Sequence, residues 1–183
     1  NWSSSGSREI VIDTTAPTAS VTTATITNSG NAVVQSTETG TAYLVNTAVS
    51  VSNLANITGA ADNQQNSVAI SSASTDTNLA ATGLVEGTYK VYAVDAAGNL
   101  SNASSNSVTL DTTAPAITGT TVTSNNASIA VTFSEAVYNT SGGSGALEAS
   151  DFTLTLSGGT ATLAIATPSS ISSSSNTYTL GLS

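Results

Sequence analysis

Carboxylates, hydroxyls and amides are the side chains with which this sequence could do chemistry. Eleven Asp and Glu stand against two basic residues, Arg8 and Lys90, and there is no His, Cys or Met. Without His or Cys there is no Ser-His-Asp triad, no thiol nucleophile and no His/Cys zinc site. The serines have no imidazole to take their proton. Two carboxylates can act as acid and base in glycoside hydrolysis. Here the acids are scattered and no local spacing singles out two, so surface and turn positions are expected for them. Lys90 falls on the polar side of an alternating stretch, where a solvated cation is expected rather than a catalytic amine. Gly142-Gly143-Ser144-Gly145 lacks the Lys and the helix start of a phosphate-binding loop. Asp62-Asn63-Gln64-Gln65-Asn66 lacks the Gly and the terminal Glu of an EF-hand loop, and is expected to be a turn.

The elements that must position these groups are legible in composition and pattern. The chain has 183 residues, 39% apolar and 7% charged, with a formal charge of −9. Two cations make no footprint for a phosphate backbone, which excludes nucleic acid as a partner. No apolar run is long enough for a membrane-spanning helix. There are 31 Ser, 32 Thr and 16 Asn, a bias that raises the question of disorder. The pattern argues against it, because disordered chains are poor in β-branched and apolar residues, whereas Val, Ile, Thr, Leu and Tyr recur here at alternate positions. The absence of Cys fits a cytosolic chain or an exported bacterial one equally. The first residues, Asn-Trp-Ser-Ser-Ser-Gly-Ser, have neither a basic nor an apolar signal region.

Self-similarity is the most informative feature. Ile12-Asp13-Thr14-Thr15-Ala16-Pro17 returns as Leu110-Asp111-Thr112-Thr113-Ala114-Pro115, 98 residues later. Each copy follows an alternating stretch and ends in Pro, which stops strand pairing and holds the preceding residue extended. It therefore reads as a stiff connector between modules of a size that suits one all-β sandwich. Short strands are expected at Ala19–Thr27, Ala42–Val51, Val68–Ile70, Gly87–Asp95 and Ser107–Leu110, with a turn at Ala96-Ala97-Gly98-Asn99. In the Gly87–Asp95 strand Tyr89, Val91 and Ala93 share one face, and Lys90 and Tyr92 the other. No stretch shows a sustained helical period with caps.

The Asp-Thr-Thr-Ala-Pro connector together with Gly87-Thr-Tyr-Lys-Val-Tyr-Ala-Val-Asp-Ala-Ala-Gly-Asn99 resembles the bacterial Ig-like repeats that build the stalks of secreted adhesins and biofilm proteins. In the second half, Val131-Thr-Phe-Ser-Glu-Ala-Val137 and Ala149-Ser-Asp-Phe-Thr-Leu154 resemble another subfamily of such modules. Ala127–Val137 is expected to hold a strand. Leu147–Leu156 follows, an alternating run continues to Ala166, and Asn176–Leu182 gives one more strand. The expected organisation is therefore all-β, with tandem Greek-key Ig-like sandwiches. Residues 1–12 would be the terminal strand of a preceding module, 13–111 one complete domain, and 112–183 a second domain cut short.

The resemblance implies calcium at the junctions. Calcium takes six to eight oxygen ligands, and this chain offers little but oxygen. In a sandwich the turn after the Tyr89 strand lies at the pole where the chain enters, and the turn before it lies at the opposite pole. Two clusters are expected on that basis, Asp13 with Asp95 and Asp111 with Glu86. The function implied is a secreted or cell-surface stalk or filament segment, without enzymatic activity. Its partners would be neighbouring modules or identical chains, including by strand exchange between Glu9–Ile12 and the 176–182 strand. The alternative is a carbohydrate- or surface-binding module, which needs an exposed aromatic patch; the sole Trp is Trp2.

Overall fold

The computed structural model describes residues 12–140, 143–158, 160, 162 and 164–182. Among them the chain is all-β, with twelve strands in three sheets and one short α-helix. It divides into two compact units after Thr112. Arg8, Trp2 and the Glu9–Val11 part of the expected terminal strand lie outside the described residues.

The first unit holds β1 (Ala19–Val21), β2 (Ala24–Ile26), β3 (Asn31–Ser36), β4 (Gly40–Asn46), β5 (Gln65–Ile70), β6 (Thr77–Ala80), β7 (Gly87–Asp95) and β8 (Val108–Leu110). They form a three-stranded sheet, β1-β3-β6, and a five-stranded sheet, β2-β8-β7-β4-β5. Alternate residues of both sheets meet in one core: Ala19, Val21, Ala32, Val34 and Leu79 from the first, and Ala42, Leu44, Ile70, Tyr89, Val91, Ala93, Val108 and Leu110 from the second. Within β7, Tyr89, Val91 and Ala93 are buried while Lys90 and Tyr92 stay half-exposed, as the alternation predicts. The Tyr89 hydroxyl, buried with its ring, donates to the Val85 carbonyl at 2.6 Å, as a buried phenol requires.

The expected Ala19–Thr27 strand is two strands in different sheets. The chain leaves the three-stranded sheet at Thr22-Thr23, and β2 then runs parallel to β8. The expected Ala42–Val51 strand stops at Asn46, whose side-chain oxygen accepts the Ala48 N–H at 2.9 Å and turns the chain. A five-residue helix, α1 (Leu54–Thr58), follows. Asn53 Oδ1 accepts the Asn56 N–H at 3.1 Å and Asn56 Oδ1 accepts the Asn53 N–H at 3.2 Å, a reciprocal cap that buries Ile57. One helical turn is too short to carry a period. The segment after β7 completes that strand's free side through two buried hydroxyls. Ser101 Oγ and Ser104 Oγ accept the N–H groups of Ala93 at 2.8 Å and Val91 at 3.0 Å.

The second unit holds β9 (Ile117–Val122), β10 (Ser128–Phe133), β11 (Ile171–Ser174) and β12 (Thr177–Gly181) in one antiparallel sheet ordered β11-β12-β10-β9. Val131 and Leu180 are buried in it, and Phe133 and Phe152 pack on Tyr178. The Leu147–Leu156 stretch forms a short 3-10 turn, Ala149–Asp151. A backbone hydrogen bond from Leu154 N–H to the Ala166 carbonyl, 2.7 Å, ties it to the later run. Neither forms a strand among the described residues, because alternation yields a strand only where a neighbour completes the ladder. The 176–182 segment is corrected in one respect. As β12 it is paired on both sides, by β10 and β11, so it is not an edge that could accept another strand.

Candidate functional site

Three carboxylates of the first unit, from segments far apart in sequence, converge at one end of it. Asp13 belongs to the entering chain, Glu38 to the turn between β3 and β4, and Asp95 to the end of β7. One oxygen from each lies within 4.8 Å of the others.

Local chemistry explains each placement. Asp13 Oδ1 accepts the Thr15 N–H at 3.0 Å, folding the connector back on itself. Two residues after the acid's turn, Pro17 is buried. Thr18 and Thr37 then exchange hydrogen bonds: Thr18 N–H donates to Thr37 Oγ1 at 2.8 Å, and Thr37 N–H to the Thr18 carbonyl at 3.1 Å. The entering strand is thereby clamped to the end of β3, and Glu38 is the next residue. Gly40 follows, with φ of 154°, and pairs with Asp95 across β4 and β7. A Cβ at Gly40 would lie 2.0 Å from the Val94 carbonyl oxygen and 2.9 Å from Asp95 Cα. Only glycine lets the Glu38 turn sit this close to Asp95.

Asp95 is the most enclosed of the three, with 7% exposure, whereas Asp13 is exposed and Glu38 half-exposed. Burial raises its pKa. Hydrogen bonds from the Asn99 side chain and from the Asn99, Gly98 and Ala97 backbone outweigh that and hold the carboxyl below its ordinary value. Asn99 N–H donates to Oδ1 at 2.8 Å and Asn99 Nδ2 to Oδ2 at 2.8 Å. The same Nδ2 reaches the Asp13 carbonyl at 3.2 Å, tying the connector to the β7 turn. Because the folded value is depressed, the associated stability is present above the unfolded value and lost as pH falls through the folded one. Asn99→Ala should therefore melt below wild type at pH 7, and the gap should narrow as pH falls from the ordinary Asp value of about 4 through the lower folded one, below which Asp95 is protonated in both proteins. Melting curves across that range check this; a gap that stays constant contradicts it.

Asp13 and Asp95, expected together, are together. Glu38 was not anticipated, and it completes the only group of three acids within such reach among the described residues. At the other end of β7, Gly87 pairs with Leu110. One step beyond that pair come Glu86 and Asp111, and Thr112 Oγ1 donates to Glu86 Oε2 at 3.2 Å. Asp111 N–H donates to the Ile26 carbonyl at 2.9 Å. No third acid joins them among the described residues.

In chemical terms the three-acid cluster is a hard-oxygen site. Oxygens bound to one calcium at 2.3–2.6 Å lie at most about 5 Å apart, so a 4.8 Å limit is compatible with all three touching the same ion. Among the described residues no cationic side chain sits with them to balance the charge: Lys90 donates to the Ser104 and Ser105 carbonyls, and Arg8 lies outside the described residues. No helix of the described residues is long and apolar enough to cross a membrane. Compared with protein-family models, with curated proteins and with solved structures, the chain matches none.

Proposed function

We propose that the chain is a stalk segment of a bacterial cell-surface or secreted fibre, built from tandem Ig-like sandwiches and stiffened by calcium where the chain enters a module. It is a mechanical element and not an enzyme. The observation that supports this reading is the meeting of Asp13, Glu38 and Asp95 at the entry of the first unit. Asp13 belongs to the connector that recurs at Asp111. A cation held by the connector, the β3–β4 turn and the β7 end at once would fasten the connector to the module it leads into. Glu86 and Asp111 belong to the same proposal as a second, two-acid site whose other ligands would be carbonyls and water.

Calorimetric titration of the full chain with calcium tests the reading. The expected result is saturable binding that Asp13→Asn and Glu38→Gln each weaken by about tenfold or more, with magnesium binding more weakly because it demands a tighter octahedral shell. Absence of binding at millimolar calcium, or binding indifferent to both substitutions, removes calcium from the account.

A further inference from the structure

The two units treat their first strand differently. In the first unit β1 has three residues, Ala19 and Val21 are buried, and the chain then crosses to the other sheet. In the second unit β9 begins with the same clamp: Ala116 N–H donates to Ser134 Oγ at 2.9 Å, and Ser134 N–H to the Ala116 carbonyl at 2.8 Å. It then runs on for six residues, all exposed, paired on one side by β10 and on the other by no described strand. Ile117, at the position Ala19 holds in the first unit, is 61% exposed and Val122 is 51% exposed. Among the described residues of this unit, the buried apolar side chains are Val131, Pro168 and Leu180.

We propose that β9 is a self-association edge, at which two copies of the chain pair β9 to β9, antiparallel, about a two-fold axis near Thr120. Three features select a second copy as the occupant. First, no charged residue occurs from Thr112 to Ser134 in a chain of net charge −9. Two copies can therefore approach at this edge without the like-charge opposition met elsewhere on the surface. Sheet edges that avoid pairing usually carry charge, Pro, a bulge or a very short strand; β9 has six residues with no charge and no Pro, and its one bulge lies near its start, leaving Gly119–Val122 regular.

Second, the bulge between β9 and β10 at Thr118 sets Ile117 and Val122 on one face, beside Phe133 and Ile129 respectively. The two-fold axis then brings Val122 of one copy beside Ile117 of the other on that same face. Third, an isologous contact needs only one self-complementary surface. A single strand pair buries less than the roughly 800 Å² per partner of a standard interface, so the dimer is of modest affinity.

Sedimentation velocity of the full chain, in chelator so that calcium plays no part, tests this. Wild type is expected to shift from monomer to dimer across about a hundredfold rise in concentration. Thr121→Glu, which leaves every apolar residue in place but sets like charges across the pair, and Val122→Glu should each weaken the dimer by about tenfold or more. Their circular dichroism should match wild type, showing that the sheet persists. A wild-type chain that stays monomeric at the highest concentration overturns the proposal. So does a dimer unaffected by both substitutions, which would locate the contact elsewhere, or growth beyond two copies.

Discussion

Calcium at about a hundredfold excess over its dissociation constant should raise the melting temperature of the first unit by about 10 °C or more. A ligand bound only by the folded state adds about 2.7 kcal/mol at that excess. For a domain of this size each kcal/mol shifts melting by several degrees. The three acids come from the connector, the β3–β4 turn and the end of β7, so no short unfolded segment presents them together, and the folded-state preference is strong. Asp95→Ala should abolish the calcium-dependent shift, because it removes the most enclosed ligand and the acceptor of both Asn99 hydrogen bonds. Glu38→Gln should remove most of the shift while leaving melting in chelator close to wild type, since Glu38 is half-exposed. Melting with calcium and with chelator, for the three proteins, makes the comparison. Equal melting temperatures for wild type in both conditions would leave a connector stiffened by Pro17 alone.

Gly40→Ala should destabilise the first unit by about 3 kcal/mol and weaken calcium binding together. The added methyl meets backbone on the neighbouring strand, at 2.0 Å from the Val94 oxygen and 2.9 Å from Asp95 Cα, and neither can rotate away as a side chain would. The φ of 154° is also one that an L-residue adopts only with strain. Overpacking and backbone strain each cost about 1–3 kcal/mol. Relief requires β4 to move off β7 at the Gly40–Asp95 pair, which carries Glu38 away from Asp95. Gly83→Ala is the control: that glycine is also at positive φ, but a Cβ there meets no atom within 4 Å. Its cost should be backbone strain alone, with calcium affinity unchanged. Denaturant unfolding gives the stabilities; equal losses at the two positions would show that the close approach at Gly40 contributes nothing.

Residue types and period two were enough to determine that this chain is all-β, that β7 spans Gly87–Asp95 with Tyr89, Val91 and Ala93 inward, and that Asp13 and Asp95 belong at one end of a module. The first two follow from local alternation; the third follows from the pole that each turn takes in the expected sandwich. The connector repeat was visible because Asp-Thr-Thr-Ala-Pro recurs without change at 13–17 and 111–115. Glu38 was not visible. Its counterpart by structure is Glu135, each directly following the residue that clamps the entering strand, Thr37 in one unit and Ser134 in the other. The flanking residues differ, and the spacing is 97 rather than 98, so no match in sequence joins them.

Tertiary structure alone decided the rest. Ala19–Thr27 alternates, with Ala19 and Val21 out of phase with Ala24 and Ile26, and at the change of phase, Thr22-Thr23, it splits: Ala19–Val21 finds β3 while Ala24–Ile26 finds β8. Phe152–Leu156 alternates as well, and forms no strand. Pairing is a contact between distant segments, and alternation shows which face of a strand would be buried without saying whether a partner exists. The acid cluster is decided in the same way. Its three members are 25 and 57 residues apart in sequence, and only the β4–β7 register, with a glycine at the crossing, brings the second to the third.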